Sequence, residues 1–329
     1  MITQRKALAR MEQDTRTFMR RIENIYRDKL AGMWQSTVKE IQAHIVTAYR
    51  QDFGKNTWDL VGAHSHGTLD RIDRQAADIL NNFKAEATSF IKVSLNHIHE
   101  QERLRALWMI DETTPSSFRP AAPFRQTREA ADNPRKAKAS WEQAFSLWID
   151  TYQNQLNTNL RMESLHEGDI HDAADEAEAT RVDGHDPEYK FTTMFSSEAI
   201  REEADARRAI YDENEDVLEE EIWVTMEDRV VCPICADYDG KPLSEVQDDI
   251  PAHYNCRCYT RFVPKAWAKM LRSGDPDERE VAMKMEDAGL IPDSLAIRSP
   301  RTGDLIGRAI VSFEDWKTDR GMNIAGAAR

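Results

Sequence analysis

The sequence predicts an α+β protein that is mainly helical. Long N-terminal helices form a hairpin or arm, and a small α+β domain stapled by a zinc knuckle follows. Three observations carry this prediction. Apolar residues recur at three- and four-residue steps through most of the first hundred residues. A strand-like run, VLEEEIWVT, precedes the cysteines, and all four cysteines lie in the single stretch 223–264. A chain of 329 residues also suggests about two domains.

Residues 1–111 are predicted to form a helical arm made of two long helices. The first runs from residue 2 to about residue 50 without a proline, and the second begins at Thr68, a good N-cap, and continues to about Leu107. Two such helices joined by a turn favour an antiparallel hairpin. The apolar face of the first helix carries Leu8, Met11, Phe18, Ile22, Ile25, Leu30, Trp34, Val38, Ile41 and Ile45.

The middle of the chain is predicted to alternate between linker, helix and loop. Residues 112–136 contain four prolines and several arginines, so a proline-rich linker is expected there. Residues 137–189 are interpreted as a helix plus an acidic loop. The helix spans about 138–161, and the loop from 163 to 189 is rich in acidic residues and alanine.

Residues 190–270 are predicted to form the α+β domain that holds the cysteines. Ser196 or Ser197 caps a helix that runs to about Glu213, and the strand VLEEEIWVT follows. An Asp-Gly turn at 239–240 then leads into KPLSEV, which is predicted to be a strand of a hairpin that closes the site.

The end of the chain, 271–329, is predicted to contain C-terminal helices and an extended tail. The short helix KAWAKMLRS leads into it and stops at Gly274, and another helix spans about 276–288. The segment IGRAIVSF is expected to be extended.

Composition limits the classes of function. A formal net charge of −14 and a pI of about 5.2 do not indicate contact with DNA through bulk charge. Apolar runs fall short of the roughly 18 residues that a membrane-spanning helix needs, and the first residues lack the apolar core of a signal peptide. We therefore expect no membrane association and a cytoplasmic setting, or a particle assembled there. Under reducing conditions, clustered cysteines favour metal binding over disulfides.

The cysteine cluster has the spacing of a metal site. Cys232 and Cys235 form a C-x2-C pair, and His253, Cys256 and Cys258 follow as H-x2-C-x-C. Two knuckles of this kind hold a tetrahedral zinc with Zn–S distances of about 2.3 Å. There are five candidate ligands for usually four places, and which of the last three stays off the metal is open at this point. Because thiolates can saturate the ion, the prediction is one structural Zn²⁺ per chain, against a metal-free thiol core or a disulfide.

Enzyme alternatives are weaker on sequence grounds. A zinc deaminase needs H-x-E ahead of P-C-x-x-C, and DRVV precedes the first cysteine here. A His-Asn-His nuclease needs a further histidine or asparagine on a following helix, and no such helix motif follows. The protein is therefore predicted not to be an enzyme, with no catalytic or cofactor-binding residues assigned. A zinc-dependent hydrolase or nuclease stays as one alternative, and a DNA-binding ejection protein as another.

The cysteine stretch resembles the head morphogenesis domain of tailed-phage minor capsid proteins, the Mu F-like family. That pattern combines a Trp-x-Thr strand, an acidic-Arg turn, C-x2-C, a glycine after a short loop, and H-x-N-C-R-C followed by a short strand. The resemblance is close over about 45 residues, with Val230-Val231 and Tyr254 as departures. The matching residues are Trp223-Val224-Thr225, Asp228-Arg229, Cys232, Cys235, Gly240 and His253-Tyr254-Asn255-Cys256-Arg257-Cys258.

The resemblance implies a non-enzymatic minor head protein of a bacteriophage. Such a protein is present in few copies, lies in the virion near the portal vertex after assembly in the host cytoplasm, and acts in head assembly, DNA packaging or DNA delivery. The implied partner is the portal protein, with the major capsid protein as a second candidate. The long N-terminal helices add self-association as an expectation.

Overall fold

The structure is a computed structural model of the full chain. The residues it describes are 4–53, 57–58, 67–113, 140–163, 168–215, 218–225, 231–264, 276 and 312–319. The predictions for the linker beyond residue 113, for the Asp228-Arg229 turn and for the two helices after Pro264 lie outside the described residues.

The described part of the chain is mainly helical, as predicted, with two small two-stranded antiparallel sheets. None of its helices is long and apolar enough to cross a membrane. In chain order the elements are α1 (Gln4–Phe53), β1 (Thr57–Trp58), α2 (Thr68–Thr113), α3 (Trp141–Glu163), β2 (Gly168–Asp169), α4 (Ile170–Ala179), α5 (Pro187–Asp212), β3 (Leu218–Val224), α6 (Pro233–Tyr238), a 3₁₀ turn (Leu243–Glu245), β4 (Tyr259–Pro264) and α7 (Phe313–Asp319).

The chain divides into two compact units, and the divisions fall inside α1, α2 and α5. We call the unit that contains the cysteines the site unit and the other the bundle unit. The site unit comprises 1–22, 96–132 and 199–329, and the bundle unit comprises 23–95 and 133–198.

In the bundle unit, α1 and α2 run antiparallel and pack with α3 and α5 around aromatic side chains. Trp34 of α1 lies at the centre. Its ring centroid is 5.3 Å from that of Phe83 in α2, 4.8 Å from Tyr152 in α3 and 5.1 Å from Phe191 in α5. Each pair adds to the apolar burial. The predicted hairpin of the N-terminal helices is therefore confirmed for this unit.

The predicted start of the second helix at Thr68 is confirmed, but Thr68 is its first residue rather than its N-cap. Thr68 is the first residue of α2, and its hydroxyl donates a hydrogen bond to the Asp52 carboxylate at the end of α1. Arg71, one turn further on, also donates to Asp52, at 2.8 Å. The end of α1 thus holds the start of α2, and the threonine serves the hairpin rather than its own helix.

The predicted acidic loop is wrong, because part of it folds into α4. Asp169 caps this helix: its side chain accepts from the His171 amide, and Asp172 completes a capping box. Ile170 and three alanines, Ala173, Ala174 and Ala177, are buried against the bundle unit. Alanine has the highest helix propensity, so an acidic surface with a small-residue stripe is a helix here rather than a loop.

The helix after this loop begins earlier than predicted. α5 starts at Pro187, which suits the first helical turn, and Ser196 and Ser197 lie inside it rather than at its cap. The Ser197 hydroxyl donates to the Thr193 carbonyl within the helix. Inside a helix a serine hydroxyl can donate to the carbonyl four residues earlier, so a serine in the sequence does not by itself mark the start of a helix.

In the site unit, β3 pairs with β4 and not with the segment KPLSEV. That segment forms a single bridge between Pro242 and Ile222 and then the 3₁₀ turn, so the predicted strand is wrong. Proline has no amide hydrogen to give to a ladder, which limits the pairing there. The predicted extended conformation of IGRAIVSF is also wrong at Phe313, which begins α7.

Candidate metal centre

The first knuckle is the short helix α6 together with the turn that follows it. The Cys232 sulfur caps α6 by accepting a hydrogen bond from the Cys235 amide, at 3.3 Å, and Pro233 occupies the first turn. The turn ends at Gly240, whose φ of +75° is readily adopted only by glycine, and its amide donates to the Trp223 carbonyl at 2.8 Å. The C-P-I-C pair is thus fixed to β3, with the glycine turn that the sequence predicts.

The second knuckle is a turn that precedes β4. The Cys256 amide donates to the His253 carbonyl at 3.1 Å, and Asn255 takes a left-handed φ of 61°. The His253 Nδ1 lies 2.7 Å from the Tyr254 carbonyl, and since a carbonyl only accepts, Nδ1 carries the proton. This hydrogen bond is the main cause that raises the pKa of His253. It also leaves the Nε2 lone pair directed at the cysteines, as in histidines that bind metals.

The two knuckles bring all five predicted ligands together. The His253 Nε2 lies 3.1 Å from the Cys232 sulfur and 3.3 Å from the Cys235 sulfur, and the sulfurs of Cys235 and Cys256 are 3.9 Å apart. Two groups result, each with ligand atoms within 4.8 Å of one another, and they share Cys235. One group is Cys232, Cys235 and His253, and the other is Cys235, Cys256 and Cys258.

A tetrahedral ion requires defined separations between its ligand atoms. Metal–sulfur bonds of about 2.3 Å and metal–nitrogen bonds of about 2.0 Å place two ligand sulfurs about 3.8 Å apart and a sulfur and a nitrogen about 3.5 Å apart. The separation of 3.9 Å between the Cys235 and Cys256 sulfurs fits without movement. The sulfur–nitrogen separations at His253 are shorter by a few tenths of an ångström. The cluster could therefore hold a metal ion.

The thiols form part of a hydrophobic cluster. Cys235, Cys256 and Cys258 are buried, Cys232 is partly exposed, and none of the four forms a disulfide. Trp223 of β3 is fully buried beside them, and its ring lies 5.2 Å from that of Tyr238 in α6. A folded core of this kind keeps water from the back of the site and fixes the rotamers of the ligands.

Without an ion, the thiols affect one another's ionisation. Burial raises the pKa of Cys235 to about 12, and a hydrogen bond with the Cys258 thiol lowers the pKa of Cys256 to about 5. The Cys258 thiol, which takes part in that hydrogen bond, has a raised pKa. Burial opposes ionisation of Cys232, but hydrogen bonds from Cys235 and the nearby His253 lower its pKa overall. The cluster thus favours thiolate at Cys232 and Cys256.

Sequence reasoning missed a buried group of charged residues in the site unit, which we call the charge cluster. Glu102 of α2 is fully buried, and its carboxylate accepts hydrogen bonds from Arg207 of α5 and from Arg16 of α1, the latter at 2.5 Å. Arg16 also donates to Glu203 at 2.6 Å, and Arg207 donates to the Thr260 carbonyl of β4 at 2.5 Å. These bonds join three helices to the strand that leaves the second knuckle.

A second branch of the charge cluster joins β4 to the N-terminal part of α1. Arg261 of β4 donates to the Glu12 carboxylate at 2.6 Å, and Glu12 is only 2% exposed. The sequence holds a signal for this branch, since Glu12 and Arg16 lie between the apolar positions Met11 and Met19. Charged residues so close to an apolar face indicate buried ion pairs, but the sequence does not show which partners they meet.

The chain was also compared with known proteins. No protein-family model, curated protein or solved structure matches it.

Proposed function

We propose that this chain is a minor head protein of a tailed bacteriophage, with a structural zinc in the cysteine cluster and no enzymatic activity of its own. The supporting observation is that the two motif halves, C-x2-C and H-x-N-C-R-C, come together in two groups of ligand atoms that share Cys235. In this proposal, the Mu F-like resemblance supplies the biological role and the geometry supplies the role of the metal.

Zinc suits the donor set. Thiolate and imidazole ligands at tetrahedral separations favour zinc over harder cations such as magnesium or calcium. The His253 Nε2 faces the sulfurs of Cys232 and Cys235, while its Nδ1 hydrogen is held by the Tyr254 carbonyl. The zinc would link β3, through the first knuckle, to the turn before β4.

We assign the four places to Cys232, Cys235, His253 and Cys256. The histidine nitrogen lies within 3.3 Å of the first two sulfurs, and Cys256 lies at the tetrahedral sulfur–sulfur distance from Cys235. Because Cys256 groups with Cys235 and Cys258 rather than with Cys232 and His253, this assignment requires the second knuckle to move toward the first when the ion binds. Cys258 then stays off the metal as a buried thiol beside Cys256.

The ligand assignment is tested by X-ray absorption spectroscopy of the zinc-loaded protein. We expect three sulfur ligands and one nitrogen ligand, unchanged in Cys258→Ser. Four sulfur ligands, or loss of zinc in Cys258→Ser with retention in His253→Ala, would refute the assignment.

A structural role follows from a filled coordination shell. A catalytic zinc keeps an open position for water, whereas the four proposed ligands would occupy every place. The matching test incubates the zinc-loaded protein with DNA and with peptidoglycan. No cleavage above that of the Cys232→Ser variant is expected, and metal-dependent cleavage would favour the hydrolase alternative.

The role in the virion is tested on particles of a phage whose genome encodes this chain. Mass spectrometry of purified particles should detect the chain in a few copies, and antibody labelling should place it at one vertex together with the portal protein. A Cys235→Ser phage should yield fewer filled heads. The proposal fails if intact, infectious particles lack the chain.

A further inference from the structure

The short helix α7 packs against the C-terminal part of α2 in the site unit. This element is only seven residues long, Phe313–Asp319, and residues 265–311 separate it from β4. It buries two aromatic side chains, Phe313 and Trp316, each 4% exposed. Such a short helix is not stable alone, so its order depends on the surface that receives it.

The receiving surface, which we call the aromatic pocket, consists of Phe18, Arg105, Trp108 and Asp111. The Arg105 guanidinium lies over two rings, 3.8 Å from the centroid of Phe18 and 4.3 Å from that of Phe313. A cation this close to the face of an aromatic ring is attracted to it. The ring of Phe313 also meets that of Trp108 edge to face at 5.6 Å.

One polar contact orients the helix in the pocket. The Trp316 indole nitrogen donates to the Asp111 carboxylate at 2.7 Å. A buried indole normally requires such a partner, so the acceptor selects tryptophan over phenylalanine at this position. The pocket therefore recognises both the shape of the bound aromatic side chains and the indole N–H of Trp316.

The bound helix carries its own start signal. Ser312 accepts a hydrogen bond from the Asp315 amide at 3.2 Å and donates to the Asp315 carboxylate at 2.7 Å. The Trp316 amide closes the first turn on the Ser312 carbonyl at 2.9 Å. A self-capped turn with two aromatic anchors three residues apart is a complete recognition motif within eight residues.

We propose that the aromatic pocket is a binding site for short helical peptides with the pattern Ser-Phe-x-x-Trp. In this structure the chain's own α7 occupies it. The ligand class is an amphipathic helical peptide with a phenylalanine and a tryptophan three residues apart and a capping serine before them. The outside ligand to which the proposal commits is α7 of a second copy of this chain, which carries the same motif. The binding site does not depend on the proposed role in the virion or on the zinc.

The test supplies the peptide in trans to the full chain. The probe is a fluorescein-labelled peptide with the sequence of residues 308–322, and the receiver is the full chain with Phe313→Ala and Trp316→Ala. The matched control is the full chain with Thr318→Ala, an exposed residue of the same helix whose hydroxyl contacts only its own backbone. Fluorescence anisotropy measures binding, and circular dichroism and metal content show that each variant is folded.

The double variant should bind the peptide saturably. The unmutated chain and Thr318→Ala should bind it at least ~10-fold more weakly, because the tethered helix competes at a local concentration on the order of millimolar. A peptide with both aromatics replaced by alanine should not bind. A peptide with 1-methyltryptophan, which lacks the indole hydrogen, should bind more weakly than the parent.

The proposal is overturned if the folded double variant does not bind the peptide, or if the alanine peptide binds as well as the parent. Equal binding by the double variant and the unmutated chain also overturns it, since the probe then occupies another surface. If the double variant is not folded, Trp316→Ala alone replaces it as the receiver. Saturable binding of the peptide then supports the proposal, and no binding overturns it.

Discussion

Replacing Glu102 by glutamine should destabilise the site unit strongly. The substitution keeps the volume and one acceptor but removes the negative charge that faces Arg16 and Arg207. Arg207 is 1% exposed, so water cannot replace the lost partner. Breaking a buried ion pair in this way costs about 3–5 kcal/mol, and we expect the lower end, about 3 kcal/mol, since Glu12 lies 4.0 Å from the same guanidinium.

The assay is urea denaturation followed by circular dichroism, with Glu100→Gln as the matched control. Glu100 lies two residues away on the same helix and pairs with Arg103 at 2.7 Å in a partly exposed position. Its loss should cost less than about 1 kcal/mol. Hydrogen exchange should quicken in the C-terminal half of α5 and in β4 for Glu102→Gln alone. Equal losses in the two variants, or a loss below about 1 kcal/mol for Glu102→Gln, would refute the reasoning.

The loss of stability in Glu102→Gln should depend on pH. Burial raises the pKa of Glu102, but the charges of Arg16 and Arg207 outweigh it, so the folded-state pKa lies below the ordinary value. A lowered carboxylate pKa contributes stability that is fully present above the unfolded pKa of about 4.3 and is lost as pH falls through the folded pKa. The gap in unfolding free energy between the unmutated chain and Glu102→Gln should therefore narrow below about pH 4. A constant gap down to pH 2 would contradict this sign.

Three further predictions follow from single contacts. Phe145→Ala, at a fully buried site of the bundle unit, should lower the unfolding free energy by about 3–5 kcal/mol in urea titrations. Leu147→Ala, at an exposed site of the same helix, should change the unfolding free energy little. Similar losses in the two variants would contradict the packing. Asp169→Ala should lose about 1 kcal/mol of stability by removing the cap of α4, and an unchanged thermal midpoint would contradict the capping box. Trp223→Ala should lower the unfolding free energy and speed the loss of zinc to a chelator, because the Trp223 ring packs against the buried cysteines. Zinc loss at the same rate as in the unmutated chain would contradict a role of Trp223 in supporting the metal centre.

The sequence predicts the long helices and the clustering of the five candidate ligands because both depend on local spacing. The three- and four-residue steps of α1 and α2 report one buried face, and the C-x2-C and H-x2-C-x-C spacings report two tight turns. The sequence did not predict helix α4, because a run of acidic residues is as typical of a solvent-exposed loop as of a capped surface helix. Its alanines distinguish the two only once they are seen to be buried.

Features that depend on distant partners could not be predicted. Glu12 meets Arg261, and Arg16 meets Glu203, across separations of 249 and 187 residues. No local pattern encodes such pairs, because any buried acid could be satisfied by any arginine that the fold brings near. The strand partner of β3 follows the same logic: the nearer candidate, KPLSEV, offers a proline where a ladder needs a donor, and the more distant β4 pairs instead.

The metal content of the purified full-length chain tests the central claim most directly. The protein is purified without added metal or chelator, and its metals are counted by inductively coupled plasma mass spectrometry beside Cys232→Ser and Cys258→Ser. We predict about one zinc per chain in the unmutated protein and in Cys258→Ser, and a large loss in Cys232→Ser. Zinc far below one equivalent in the unmutated protein, or another metal in its place, would contradict the account.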